Sequence, residues 1–357
     1  MLKLQTRIVA HVRSLNVIGF FKKLLFVVVA LLAMPLVSAV ARDFTLPAPI
    51  IFDSDMNGDA DDVAALATLH ALADLGHAKI LAVGASERNP WTPLCMDAIN
   101  TYYGRPDVPI GATKDKRAFF KPSKYAEAVA RKFPRSRDWK SASDAPCAVE
   151  IYRQVLAKQP DNSVVLVTVG SLANIANLLK SEADDYSNLS GKALVGNKVR
   201  HWVCMPGVFG PGEGKREANL IKGVEAAQYA LKHWPTRITF CGYLIGHHVQ
   251  TGAGLKDTPE DNPVRHAYKL GKDGRSSSSF DQVTTLYAVS ALKDGLLSNL
   301  WKRSEWGWVT VNDDGSNKFE KDPKGLHRYI RPELEHRNTK GVEKIVEGLM
   351  TRPPEHK

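Results

Sequence analysis

The chain is expected to fold as an α/β protein: an open, mostly parallel sheet with helices on both faces. Three observations lead there. From residue 48 onward, short apolar runs alternate with stretches whose apolar residues recur at helical spacing, the pattern of repeated strand–helix units. No convincing linker and no internal repeat divides the 357 residues, so residues 42–357 are read as one domain behind an N-terminal leader. A dense acidic cluster follows the first apolar run, and ligands in such sheets bind outside the carboxyl ends of strands.

The elements follow in order. Residues 1–41 carry Lys3, Arg7, Arg13, Lys22 and Lys23 without an acidic residue, then the apolar run LLFVVVALLAMPLVSAVA ending in small residues. That order reads as a secretory signal peptide cleaved after Ala39 or Ala41, and hence an exported (periplasmic or secreted) protein; the alternative is an uncleaved membrane anchor. Removing the five basic residues takes the formal net charge from +10 to +5. A modest surplus without a Lys/Arg block argues against nucleic acid or membrane partners. Within the domain, IIFD leads to a helix over 62–75, and AKILAVGAS to a helix around Cys95–Tyr103. SVVLVTVGS leads to LANIANLLK, and VRHWVCMPG leads through a Gly-rich loop to VEAAQYALKH. RITFCGYLI leads to a helix in HHVQTGAGL. The polar segment 271–279 is too short to separate domains, and the chain beyond Ser290 is expected to complete the sheet and its helical cover. Cys95, Cys147, Cys204 and Cys241 show no metal spacing; Cys204 and Cys241 lie in apolar runs and read as core thiols.

The acidic cluster, Asp53-Ser54-Asp55-Met56-Asn57-Gly58-Asp59-Ala60-Asp61-Asp62, holds five carboxylates in ten residues. Like charges this close repel unless a cation neutralises them, and hard divalent cations prefer oxygen ligands. A helix–loop–helix calcium loop fits through its ninth position but needs a bidentate Glu where Ala64 stands, and the preceding segment reads as a strand. A phosphoryl-transfer Asp-x-Asp motif fits Asp53 and Asp55, yet Asn57 stands where Thr or Val belongs and three further carboxylates would repel a phosphate. Asp61, Asp62 or Asp281 could instead cap helices, which accounts for one Asp well and five poorly.

The string DSDMNGDADDVAAL resembles the N-terminal fingerprint of the inosine-uridine preferring nucleoside hydrolase family, in its longer form DTDMGNDVDDALAL. NTYYGRPDVPIG, VTVGSLANIANLL, EANLIKGVEAA and SFDQVTTLYAV are similar to later family segments and fall in family order over roughly residues 48 to 290. In EANLIKGVEAA, Gly223 and Val224 replace the family's Asp-Pro.

The resemblance implies a nucleoside-hydrolase-like fold and a calcium-dependent enzyme cleaving ribonucleosides, or a related riboside, to ribose and free base. Asp55 matches the general base and a calcium ligand. Asp62, the carbonyl of Val169 and Asp281 match the other calcium ligands; Asp61, Glu217 and Asn219 match ribose-binding residues. The chemistry agrees: breaking an N-glycosidic bond through an oxocarbenium-like state calls for carboxylates near the sugar and an activated water. Departures matter too. Phe280 stands where some members place a His that protonates the leaving base, so leaving-group activation is assigned to stacking on an aromatic such as Trp91. Pro211 and Ala85 stand near positions where the family commonly has a substrate-binding Asn, which leaves base specificity unreadable. His247 and His248 are read as helix-terminal, Asp59 is unexplained, and the loop GVFGPGEGKRE as a flexible cover over the substrate, since Phe209 and Arg216 break a phosphate-loop pattern. The partner is thus a small nucleoside or riboside, with room for a homo-oligomer. The reading of a different class is a secreted calcium- or carbohydrate-binding protein of the same fold without catalysis, motivated by Phe280 and Pro211.

Overall fold

The computed structural model describes residues 47–355 apart from Asn57, 291–296, 298–299 and 333–335. The signal peptide expected at residues 1–41 lies outside the described residues. The domain is built on a nine-stranded sheet. Its strands in chain order are β1 (Ala48–Ser54), β2 (Ala78–Ala85), β3 (Ile110–Ala112), β4 (Val164–Thr168), β5 (Val199–Cys204) and β6 (Arg237–Phe240), followed by β9 (Gly307–Val311), β10 (Asn317–Lys321) and β11 (His327–Tyr329). Two short strands, β7 (Gln250–Thr251) and β8 (Ser277–Ser278), pair separately. Across the sheet the order is β10-β9-β11-β6-β5-β4-β1-β2-β3. The strands from β6 to β3 are parallel; β9 runs antiparallel to β10 and β11 at one edge, so the expected mostly parallel sheet is found.

Alternation along β1 shows why both faces carry helices. Ile50 and Phe52 enter one apolar cluster with Val63, Leu66, Leu286 and Val346; Ile51 enters the other with Tyr152, Leu166, Leu179 and Trp202. Each side chain of that size, fully buried, contributes roughly 1.5–3 kcal/mol. The helix Asp61–Asp74 is apolar almost all round, and twelve of its fourteen residues are buried. Its alanines let it nest between the sheet and the helices Phe280–Ser290 and His336–Met350. Gly76, at φ 74°, then turns the chain toward β2, a conformation other residues resist.

Two expectations are corrected. The helix after β6 covers Tyr243–His248, not HHVQTGAGL, because Gly242 at φ 73° ends the strand early and starts the helix at once. The Gly-rich loop is tied down at its front: Phe209 is buried and stacks on Tyr329 with centroids 4.9 Å apart, and Asn317 Oδ1 accepts from the Val208 amide at 2.7 Å. All four cysteines are free, with Cys204 and Cys241 buried as expected. Among the described residues, no helix is long and apolar enough to cross a membrane.

Candidate active site

Chain order reverses between β1 and β4: β2 and β3 lie beyond β1, whereas β5 and β6 lie beyond β4. The carboxyl ends of β1 and β4 therefore open onto a switch-point crevice. The acidic loop leaves β1 there, and Val169 follows β4.

Asp53, the first of the five carboxylates, still lies within β1. Its Oδ2 accepts from the Tyr152 hydroxyl at 2.5 Å and from Asn174 Nδ2 at 2.8 Å. Burial pushes it up to about 7, against the pull of those two donors. A Cβ on Gly84 would fall 1.6 Å from the Tyr152 hydroxyl, so only glycine fits beneath this contact. After Asp55, Met56 takes φ 44°, the left-handed region that a non-glycine residue rarely enters. This bend precedes the short segment that brings Asp61 and Asp62 back to Asp55.

Asp61, Asp62 and Asp281 are buried, and one oxygen from each lies within 4.8 Å of the others. Burial first, and then the charge of Asp59, pushes Asp61 up to about 7; burial, and then neighbouring aspartates led by Asp55 for Asp62 and by Asp61 for Asp281, hold those two well above the carboxylate range. Asp62 Oδ1 accepts from Ser54 Oγ at 2.6 Å and the Asp55 amide at 3.3 Å. Helix capping does not account for Asp61 and Asp62: the N-cap is Ala60, and no side chain caps that end. An uncompensated, buried, all-oxygen donor set of this kind fits a hard divalent cation, and the absence of His and Cys from it disfavours zinc.

Opposite the acids, Glu217 accepts from the amides of Asn219 at 3.0 Å and Leu220 at 3.1 Å, which starts the short helix Ala218–Ile221. Burial raises Glu217. Asn219 Nδ2 donates to the Val169 carbonyl at 3.0 Å. The cavity they enclose, about 180 Å³, is lined by Asp55, Asp61, Asp62, Val169, Glu217, Asn219 and Asp281, so seven of the eight residues named from sequence meet there. Phe280 and Tyr243 complete its wall as a stacked pair, centroids 5.0 Å apart.

The eighth, Trp91, is placed elsewhere. It lies under the Arg131 guanidinium, 4.5 Å from ring centre to cation, on a depression with Arg135 and Trp139. Phe280 and Tyr243 offer the aromatic surface instead. His247 and His248 are exposed and off the cavity wall, as their helix-terminal reading expects. Pro211 and Ala85 also lie off it. Asp59 gains an explanation: its carboxylate accepts from Lys272 Nζ at 2.6 Å and its carbonyl from the Tyr125 hydroxyl at 2.9 Å, pinning the rim.

Lys121 and Tyr243 on the cavity wall were not foreseen, nor were the two charged residues gathered at Asp55, Lys222 and Glu87. Lys222 donates to Asp55 Oδ2 and, at 3.0 Å, to Asn219 Oδ1, and its Nζ lies 3.0 Å from Glu87 Oε1. Burial opposes its charge, but Asp55 and Glu87 outweigh burial and hold its pKa up. Burial and Asp55 push Glu87 up to about 9 in spite of Lys222. Lys222 follows Asn219 by one helical turn, and Glu87 follows β2 as Asp55 follows β1; those two placements were the available signals.

Fold and cavity together define an α/β protein with an acidic, amide-lined site at its switch point. The inosine-uridine preferring nucleoside hydrolase family matches residues 50–314. The chain belongs to that family of N-ribohydrolases, which are metal-dependent. A plant nucleoside hydrolase is similar at 19% identity and TM-score 0.61, over 86% of this chain and 100% of that one. A purine-preferring ribonucleoside hydrolase from Gardnerella vaginalis is similar at 16% and 0.61, over 85% and 99%. The inosine-uridine preferring nucleoside hydrolase of Bacillus anthracis is similar at 13% and 0.58, over 84% and 99%. At these identities the likeness speaks for the fold. No curated protein matches the sequence.

Proposed function

We propose that the chain is an exported, calcium-dependent enzyme that hydrolyses the N-glycosidic bond of a ribonucleoside, or a close riboside, to ribose and free base. The observation that carries this is the meeting of Asp55, Asp61, Asp62 and Asp281 with Glu217, Asn219 and the Val169 carbonyl around one small cavity. Asp55, Asp62, Asp281 and Val169 would hold the cation. When bound, such an ion supplies Lewis acidity to a water and to the sugar hydroxyls.

The chain's own groups do the rest. Asp61, Glu217 and Asn219 face the space a ribose would fill, and their acceptors and donors suit its hydroxyls. Asp55 takes the proton of the attacking water, whose oxygen bonds to C1′. The C1′–N bond breaks with its electron pair passing to the base nitrogen. Negative side chains around the sugar favour the oxocarbenium character that develops at C1′. Phe280 and Tyr243 give the departing base an apolar face, and the Tyr243 hydroxyl, which lies 3.3 Å from His247 Nδ1, is the acid group on that face, with solvent as the other source of the base's proton.

Ribose release from a panel of purine and pyrimidine nucleosides tests the reading. Turnover is expected on at least one riboside, lost in chelator and restored by calcium. Calcium binding with no turnover on any riboside favours the non-catalytic binding protein of the same fold, a reading supported by Phe280 in place of an acid. Fractionation of expressing cells tests export: mature protein shortened by about the leader is expected outside the cytoplasm.

A further inference from the structure

Lys222 is the feature of this site that the family pattern does not call for: in E-x-N-x-x-x-D-P-E-A-A it falls on an unspecified position. Three acceptors from three segments share its ammonium: Asp55 after β1, Glu87 after β2, and Asn219 one turn earlier on its own helix. Its side chain is only 15% exposed and lines both the acidic cavity and a neighbouring one of about 330 Å³. Among the described residues, no ion pair is made by Asp61, Asp62 or Asp281, and the ammonium bonded to a carboxylate assigned to the metal is that of Lys222 on Asp55.

We infer that Lys222 is a tethered counter-cation that competes with the metal ion for Asp55. Two cations bonded to one carboxylate repel each other, and each weakens the other's hold. Without the ion, Lys222 anchors Asp55 against its acidic neighbours and keeps the loop in place. With the ion on Asp55, the ammonium retains Glu87 and Asn219 and so orients the amide that bonds the Val169 carbonyl. It is a positioning residue, and the arrangement lowers metal affinity while supporting the metal-free fold. The inference rests on the metal site proposed above.

The test is calorimetric titration of the chelator-treated full chain with calcium chloride at constant pH and ionic strength, beside thermal melting with and without calcium. Lys222→Met is expected to bind calcium about tenfold more tightly or better, to melt lower than wild type in chelator, and to gain more from calcium. Lys222→Gln, which keeps a hydrogen-bonding group and loses the charge, is expected to shift affinity in the same direction and serves if the methionine variant does not fold. Lys222→Arg, which keeps the charge, should stay within about threefold of wild type. Calcium binding by wild type with equal or weaker binding by the neutral variants overturns the role of Lys222 alone. No calcium binding by any of the four proteins overturns the metal site itself, and this inference with it.

Discussion

At the scale of single residues, the acidic cluster divides its labour by what each carboxylate faces. Asp53 lies within the sheet and crosslinks it through Tyr152 and Asn174, Asp59 ties the rim to Lys272, and Asp55, Asp61 and Asp62 face the cavity. Asp55→Ala is therefore expected to cut turnover by about 10²–10⁴-fold, the usual worth of a positioned proton acceptor, with the fold retained in circular dichroism. Asp62→Ala should instead weaken calcium binding in calorimetry, since its carboxylate adjoins Asp61 and Asp281. Wild-type turnover in the first variant, or wild-type affinity in the second, refutes the role assigned. Carboxylates crowded in sequence advertise themselves in this way because repulsion must be answered somewhere. A lone lysine or glutamate carries no such signal, and Lys222 and Glu87 became visible only when the fold brought them to Asp55. Trp91 shows the converse: following the second strand does not aim a side chain at the site, and this one packs against Arg131.

At the scale of elements, the buried parallel strands and their helices were legible because apolar runs and helical periodicity are strongest where both faces are covered. Failures fall where a few backbone angles decide. Gly242 moves a helix start by several residues, and the edge strand β10 is short, largely solvated and mixed with charge, as an exposed edge requires. The short helix Ala218–Ile221 owes its start to Glu217, which accepts from two of its amides and, at 3.4 Å, from that of Gly207. Glu217→Ala removes all three acceptances and should cost roughly 1–2 kcal/mol in urea unfolding. Because Asn219 and Lys222 ride on that turn, KM for the preferred riboside should rise as well. Glu217→Gln retains one acceptor oxygen and should lose less on both counts. A KM unchanged in Glu217→Ala would separate this residue from substrate binding and leave it a cap alone.

At the scale of the whole molecule, the site depends on a sheet whose switch point lies between two apolar clusters, and the helix that presents Asp61 and Asp62 runs deep into one of them. That helix buries His70, which stacks on Tyr103 with centroids 4.8 Å apart. Its Nε2 faces Asn100 Oδ1 at 2.8 Å and its Nδ1 faces Arg105 at 3.4 Å, an arrangement suited to the neutral ring donating to Asn100. Burial, and next the Arg105 charge, lower its pKa from 6.5 to about 3. The unfolded chain therefore binds a proton that the folded one refuses across this window. The stability His70 contributes is complete above pH 6.5 and is lost progressively as pH falls toward 3, by about 1.4 kcal/mol per pH unit once well below 6.5. The far end of the cluster helix should thus fail in acid irrespective of the carboxylates at its start. His70→Gln, which keeps a donor for Asn100 and cannot take up the proton, is expected to be less stable at pH 7 from lost packing yet to show a shallower fall between pH 6 and 4. Comparing urea unfolding of the two proteins at each pH cancels the contributions of distant groups, including His201, whose pKa burial also lowers to about 3. Parallel stability curves for the two proteins would show that His70 accepts its proton without cost to the fold.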